Sequence, residues 1–201
     1  MTPLEIADII GIISFALSGF LIAVHYKFDI LGVFISAFLT ALGGGMIRDV
    51  IANKTPYVLS DNLPIILVSS TLFLALLFKL HKTTDLEGKT WFIASDAIGL
   101  ASFAITGALI GINAQFNFLG VLMLAFLTAV GGGTIRDILI NKVPSILVSE
   151  FYGTVAIVVG LITYFLHLSG YSSIITLTMT FIFGVTLRLL AYYKKWSLPK
   201  L

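Results

Sequence analysis

The chain has no cysteine and very little charge. Without a thiol it forms no disulfide and no thiolate metal site, so the redox compartment is left open. Charged residues make up only 11% of its 201 positions, and hydrophobic residues 58%, with a mean hydropathy of +1.06. A soluble domain carries about 25% charged residues. The net charge of +2 is too small and too scattered for a nucleic-acid partner. His25, His81 and His167 fall at span ends and form no ligand cluster, and no nucleophile elbow, GK[ST] loop or GxGxxG turn is present. No enzyme activity and no cofactor is expected.

What fills the chain instead is long apolar sequence. No Asp, Glu, Lys or Arg occurs from Ala97 to Ile135, a run long enough for two spans at roughly 20 residues each. The runs are too long and too uniform for the alternation of a β-barrel. Charges and turn residues punctuate seven candidate helices: 4–24, 28–53, 62–80, 91–112, 116–141, 145–167 and 171–193. The first lacks a basic leader region and an evident cleavage site, so it reads as a retained span. The plainly hydrophilic loop is "HKTTDLEGKT", 81–90.

Seven spans put the termini on opposite sides. Lys27, Lys79, Lys82, Lys89, Lys142, Lys194, Lys195 and Lys200 gather on one of them, and little beyond Lys54 lies on the other. The positive-inside rule then places the N-terminus outside and the C-terminus in the cytoplasm. Trp91, Tyr192, Tyr193 and Trp196 suit an aromatic belt on the lysine-rich side. Lys194 and Lys195 beside it suit anionic lipid headgroups, so membrane lipids are expected partners.

The chain also repeats itself. "DIIGIISFALSGFLI" (8–22) lies on "DAIGLASFAITGALI" (96–110), and "FLTALGGGMIRD" (38–49) on "FLTAVGGGTIRD" (126–137), each shifted by 88 positions. About half of the positions between Asp8 and Leu59 match their partners without a gap. Each unit holds three spans, so the second enters the membrane upside down. The expected fold is an all-α membrane protein with two inverted three-helix repeats, 4–80 and 91–167, and a seventh transmembrane helix, 171–193. Inverted repeats of this kind occur in transport proteins, with the pathway at the repeat interface.

Gly43, Gly44 and Gly45 interrupt the second span, and Gly131, Gly132 and Gly133 the fifth. Each costs a helix interior roughly 1 kcal/mol against Ala. Three in a row predict a kinked or unwound stretch, whose freed carbonyls could hold a monovalent cation. The other reading is close helix packing, which also suits Gly11, Gly19, Gly99 and Gly107. Arg48 and Arg136 are the costliest residues to bury, at about 2.5–3.5 kcal/mol each. Topology predicts the pairs Asp8–Arg48 and Asp96–Arg136. Asp49 and Asp137 adjoin the arginines in sequence, but helix neighbours one apart point in different directions, so they are free to reach other partners. Each pair acts either as a gate or as a static brace. Ser14, Thr40, Ser102 and Thr128 are candidate pore hydroxyls, or they bond to the preceding helical turn.

The double motif "GGGMIRD" and "GGGTIRD" in the second and fifth of seven spans resembles bacterial and archaeal members of the trimeric intracellular cation (TRIC) channel family. The same sequence family carries the label of a glycine transporter domain. The resemblance covers about residues 4–193. It implies a homotrimer with a pore in each subunit, lined by kinked second and fifth helices and passing monovalent cations, chiefly potassium. It attaches those roles to Gly43–Gly45, Arg48 and Asp49, and to Gly131–Gly133, Arg136 and Asp137. It also implies a bacterial or archaeal plasma membrane. Animal members carry a Lys-Glu-Val lipid motif where this chain has Arg48, Asp49 and Val50, a departure from that pattern. The expected function is a potassium-permeable channel. The alternative is a secondary transporter of a small solute such as glycine, because broken helix ends also suit a carboxylate.

Overall fold

The structure is a computed structural model that describes residues 2–82, 85–148 and 151–196, the side chains of 85–88 excepted. Lys200 and positions 83–84 of the expected hydrophilic loop lie outside the described residues. Nine α-helices form among them: α1 (Pro3–His25), α2 (Ile30–Ile51), α3 (Tyr57–Ser60), α4 (Leu63–Leu77), α5 (Asp85–Asn113), α6 (Phe118–Leu139), α7 (Ser145–Val148), α8 (Tyr152–Leu168) and α9 (Ile174–Tyr193). A 3₁₀ turn, Leu80–Lys82, follows α4.

Local sequence sets the ends. Thr2 caps α1 through a capping box with Glu5. Asp29 accepts from the Gly32 amide at the start of α2, and Asn117, its repeat partner, accepts from the Gly120 amide at the start of α6. Lys27 and Gln115 leave the first helix of each unit at φ 55° and 58°, and Asn53 and Asn141 leave the second at φ 55° in both. The duplication is thus legible in backbone angles as well as in letters.

Helices α1, α2 and α4 pack together, as do α5, α6 and α8. Helix α1 lies against α5 and α2 against α6, so the inner pair of each unit faces its counterpart; α9 covers α5 and α8. Phe15 and Phe103 meet edge to face at 5.3 Å where α1 crosses α5. Each ring sits on the opposite helix's glycine, Phe103 over Gly11 and Phe15 over Gly99. A methyl at either glycine would overlap the ring, which is why these positions are glycine.

Among the described residues five helices are long and apolar enough to cross a membrane, and α4 and α8 are shorter apolar helices. The expected span 145–167 divides in two. α7 occupies Ser145–Val148, and α8 starts only after Phe151 at φ 51°; residues 149–150 lie outside the described residues. The third span, expected over 62–80, ends at Leu77, two residues before Lys79 turns left-handed. The fourth begins at Asp85 rather than at 91, so part of the expected hydrophilic loop is helical. That stretch contains no proline to stop a helix from extending.

Candidate functional site

Helices α2 and α6 cross at the glycine triplets. A methyl at Gly44 would overlap the carbonyl oxygen of Thr128, and one at Gly132 would overlap the carbonyl oxygen of Thr40. A methyl at Gly131 would stand 3.1 Å from the Gly44 Cα. The two backbones touch because neither helix carries a Cβ there.

This corrects the expectation of unwound helices. α2 is helical without interruption through Gly43, Gly44 and Gly45, and α6 through Gly131, Gly132 and Gly133. The triplets are therefore not unwound. Glycine's propensity penalty is real, about 1 kcal/mol per residue, but it is offset by packing that a larger residue would forbid.

Three residues beyond each triplet, an arginine is buried. The Arg48 guanidinium donates from Nη1 to Asp8 Oδ1 at 2.6 Å and from Nε to Asp49 Oδ1 at 2.8 Å. The Arg136 guanidinium does the same toward Asp96 Oδ1 at 2.6 Å and Asp137 Oδ1 at 2.9 Å. The arginine side chains are 3% and 1% exposed, so all four ion pairs are shielded from solvent. The geometry brings Asp8 to Arg48 and Asp96 to Arg136, and it also brings in the adjacent carboxylates. Helix spacing argued against those, yet the flexible arginine stem curls back so that its Nε meets the next residue. The second carboxylate oxygens are occupied too. Asp49 Oδ2 accepts from the Tyr57 amide at 2.9 Å, and Asp137 Oδ2 from the Ser145 amide at 2.7 Å. Each cluster therefore ties a long helix to the short helix that follows it.

One contact in each cluster crosses between the units. Arg48 Nη1 donates to Thr106 Oγ1 at 3.2 Å, and Arg136 Nη1 donates to Ser18 Oγ at 2.7 Å. Sequence reasoning passed over Ser18 and Thr106, although they are repeat partners and both carry hydroxyls. It named Ser14, Ser102, Thr40 and Thr128 instead. Thr40 and Thr128 donate to the preceding turn, at 2.6 Å to Ser36 O and Leu124 O. The hydroxyls of Ser14 and Ser102 are buried, and Ser102 Oγ meets no partner among the described residues.

Beside the first cluster lies a cavity of about 20 Å³, room for roughly one water. Asp8, Gly45, Arg48, Asp49, Tyr57 and Pro64 are among its walls. Tyr57, in the connection after α2, has its phenol pushed above the ordinary value by burial first, then by Asp61, Asp8 and Glu5. No group of three His, Cys, Asp or Glu among the described residues could hold a metal ion.

These features can be set beside known proteins. A family model described as Glycine transporter matches residues 5–82 and 93–168, one match on each unit. YvgT, a membrane protein of Bacillus subtilis (strain 168), is 36% identical over 198 residues, covering 97% of this chain and 95% of its own. The inner membrane protein YadS of Escherichia coli (strain K12) is 35% identical over 159 residues, covering 77% of this chain and 74% of its own. A structure described in work on conductance through TRIC cation channels superposes with a TM-score of 0.83 at 35% identity, over 98% of this chain and 96% of that one. A prokaryotic TRIC channel crystallised in 0.5 M KCl gives a TM-score of 0.86 at 32% identity, over 97% and 98%. The TRIC trimeric intracellular cation channel orthologue from Rhodobacter sphaeroides gives 0.88 at 25% identity, over 96% and 99%. With its repeat, its crossing helices and its near-complete coverage of the solved channels, the chain belongs to the prokaryotic TRIC cation-channel family, a family of membrane channels rather than enzymes, which the glycine-transporter model describes.

Proposed function

We propose that the protein is a potassium-permeable channel whose pathway runs within each subunit, along the interface of α1, α2, α5 and α6. The observation that carries this is the pair of buried Arg–Asp clusters, one on either side of the glycine crossing, with a water-sized cavity against the first. Buried ion pairs are expensive to form and more expensive to break from one side, about 3–5 kcal/mol. Groups of this kind inside a membrane mark a route or a lock. In this conformation each guanidinium is held by two carboxylates and a hydroxyl of the other unit, as a closed gate requires. Opening would separate Asp8 from Arg48 and Asp96 from Arg136, leaving carboxylates to attract a cation and hydroxyls from Ser18 and Thr106 to replace part of its hydration. Gly43–Gly45 and Gly131–Gly133 contribute by letting α2 and α6 slide without side-chain collisions. Ser14, Thr40, Ser102 and Thr128 are lesser candidates for the lining, because Thr40 and Thr128 donate their hydroxyls to their own helices.

The assembly is a homotrimer, by likeness to a channel described as trimeric. The repeats 4–80 and 91–167 act as its two gating halves, with 171–193 as an added helix. The location is the bacterial inner membrane, as for YadS. Lysine placement supports a cytoplasmic C-terminus and an external N-terminus, with the lipid surface touching Lys194 and Lys195.

The family model's description favours a second reading, a carrier for glycine. Planar-bilayer recording of purified protein under a potassium chloride gradient separates the two. Unitary currents that reverse near the potassium potential, and that change their gating in an Arg48→Ala, Arg136→Ala double variant, support the channel. Silence in the bilayer together with saturable glycine uptake into liposomes would replace it with the carrier.

A further inference from the structure

The two halves of the proposed route are built from the same motif, yet they are not equally open. The 88-residue shift carries Gly45 to Gly133 and Pro64 to Tyr152. In the first half Gly45 and Pro64 share the walls of the cavity, and a Cβ at Gly45 would meet nothing nearer than 3.8 Å. In the second half a Cβ at Gly133 would stand 3.0 Å from the Tyr152 hydroxyl. That phenol is 2% exposed, and its oxygen has no hydrogen-bond partner among the described residues. The ring thus occupies the place that is empty space on the other side.

Further side chains reinforce the difference. Arg188, from α9 outside the repeat, lays its guanidinium over the Tyr152 ring at 4.9 Å, and over Tyr192 at 5.8 Å. Phe92 lies against the Arg136 guanidinium at 4.7 Å, where the first half has Leu4 at the equivalent position.

We infer that Tyr152, held by Arg188, is the plug of the second half and makes that half the limiting barrier to a cation, while the first half stays open to water. The ring excludes water by volume and not by bonding, since its hydroxyl has no hydrogen-bond partner among the described residues. Arg188, stacked on the ring, fixes it in that place. The seventh helix, absent from the repeat, thereby gives an otherwise two-fold pathway a direction. The consequence for current rests on the channel reading above; the accessibility does not.

The absence of cysteine makes the test direct. Single Gly45→Cys and Gly133→Cys variants of the full chain are treated with a small cationic methanethiosulfonate in detergent and in liposomes. Gly133→Cys should react at least about tenfold more slowly than Gly45→Cys, as expected where there is no room for a water beside the thiol. It should stay slow with Tyr152→Phe and become fast with Tyr152→Ala. Equal rates for the two cysteines with Tyr152 in place would overturn the inference, as would a rate for Tyr152→Phe matching Tyr152→Ala. If the alanine variant does not elute as folded protein, the first comparison still decides. In bilayers, Tyr152→Ala and Arg188→Gln should raise the current in the direction that wild type disfavours, and Tyr152→Phe should not. A wild-type protein without unitary current would count against the channel and leave the labelling result standing.

Discussion

Gly44→Ala and Gly45→Ala are adjacent, chemically identical changes with opposite expected outcomes. If the triplet existed to weaken the helix, each alanine would remove about 1 kcal/mol of propensity penalty and the two variants would behave alike. The crossing predicts otherwise. At Gly44 the new methyl meets the Thr128 carbonyl, a backbone atom inside α6 that cannot rotate away. Overpacking of this kind costs about 1–3 kcal/mol and more where backbone must move, against a propensity gain of about 1 kcal/mol. The net loss is about 0–2 kcal/mol on the ordinary overpacking figure and lies at or beyond its upper end here, because the clash is with backbone. For a chain of this size that corresponds to a fall in Tm of several degrees, at about 2–4 °C per kcal/mol. At Gly45 the methyl meets only the flexible Arg48 tip, 3.8 Å away, so the propensity gain survives and Tm should hold or rise slightly. Gly132→Ala should mirror Gly44→Ala, because its methyl meets the Thr40 carbonyl. The assay is fluorescence-detected size exclusion of detergent-purified protein after graded heating. Equal Tm values for Gly44→Ala and Gly45→Ala would refute the packing account and restore helix weakening as the reason for the triplet.

Neutralising one carboxylate of a cluster should hurt more than removing the whole cluster. Asp96→Asn leaves the buried Arg136 with Asp137 alone and should cost about 3–5 kcal/mol; Asp96→Asn with Arg136→Met and Asp137→Asn, which leaves no buried charge in the cluster, should recover much of it, read from the same thermal midpoints. Ser18→Ala and Thr106→Val each remove a hydrogen bond to a guanidinium, about 1.5–3 kcal/mol. Each should raise open probability in bilayer recordings, and equal stability with unchanged gating would make these contacts incidental. Thr40→Val, whose hydroxyl is already bonded to its own helix, should alter unitary conductance less than Ser18→Ala does. The reverse order would place Thr40 on the route and Ser18 off it.

Much of this could be read from the letters because the chain says it twice. The repeat fixed the number of spans per unit and hence their inversion. From inversion alone, Asp8 fell level with Arg48 and Asp96 with Arg136. The misreadings came from contacts between elements. Helix propensity is a local quantity, so three glycines look like a break until the neighbouring helix is known to lie against them. Thr106 reaches Arg48 only once α5 is docked on α1 upside down, which a single unit's sequence does not display. Tyr57 and Ser145 engage the clusters through backbone amides, which leave no side-chain signature. Tyr152 escaped notice because the two units diverge after Leu59, so nothing marked it as the counterpart of Pro64.

The cross-unit contacts have one more property. Gly44 meets Thr128 while Gly132 meets Thr40, and Arg48 meets Thr106 while Arg136 meets Ser18. Each of these contacts from the first unit to the second is returned by the corresponding residue of the second to the first. That reciprocity is the mark of an isologous dimer interface, the kind two identical molecules form about a two-fold axis. The core of this protein is thus self-complementary. A single three-helix unit, inserted into a membrane in both orientations, already carries both sides of the surface needed to build it, and the covalent link between the units supplies proximity rather than recognition.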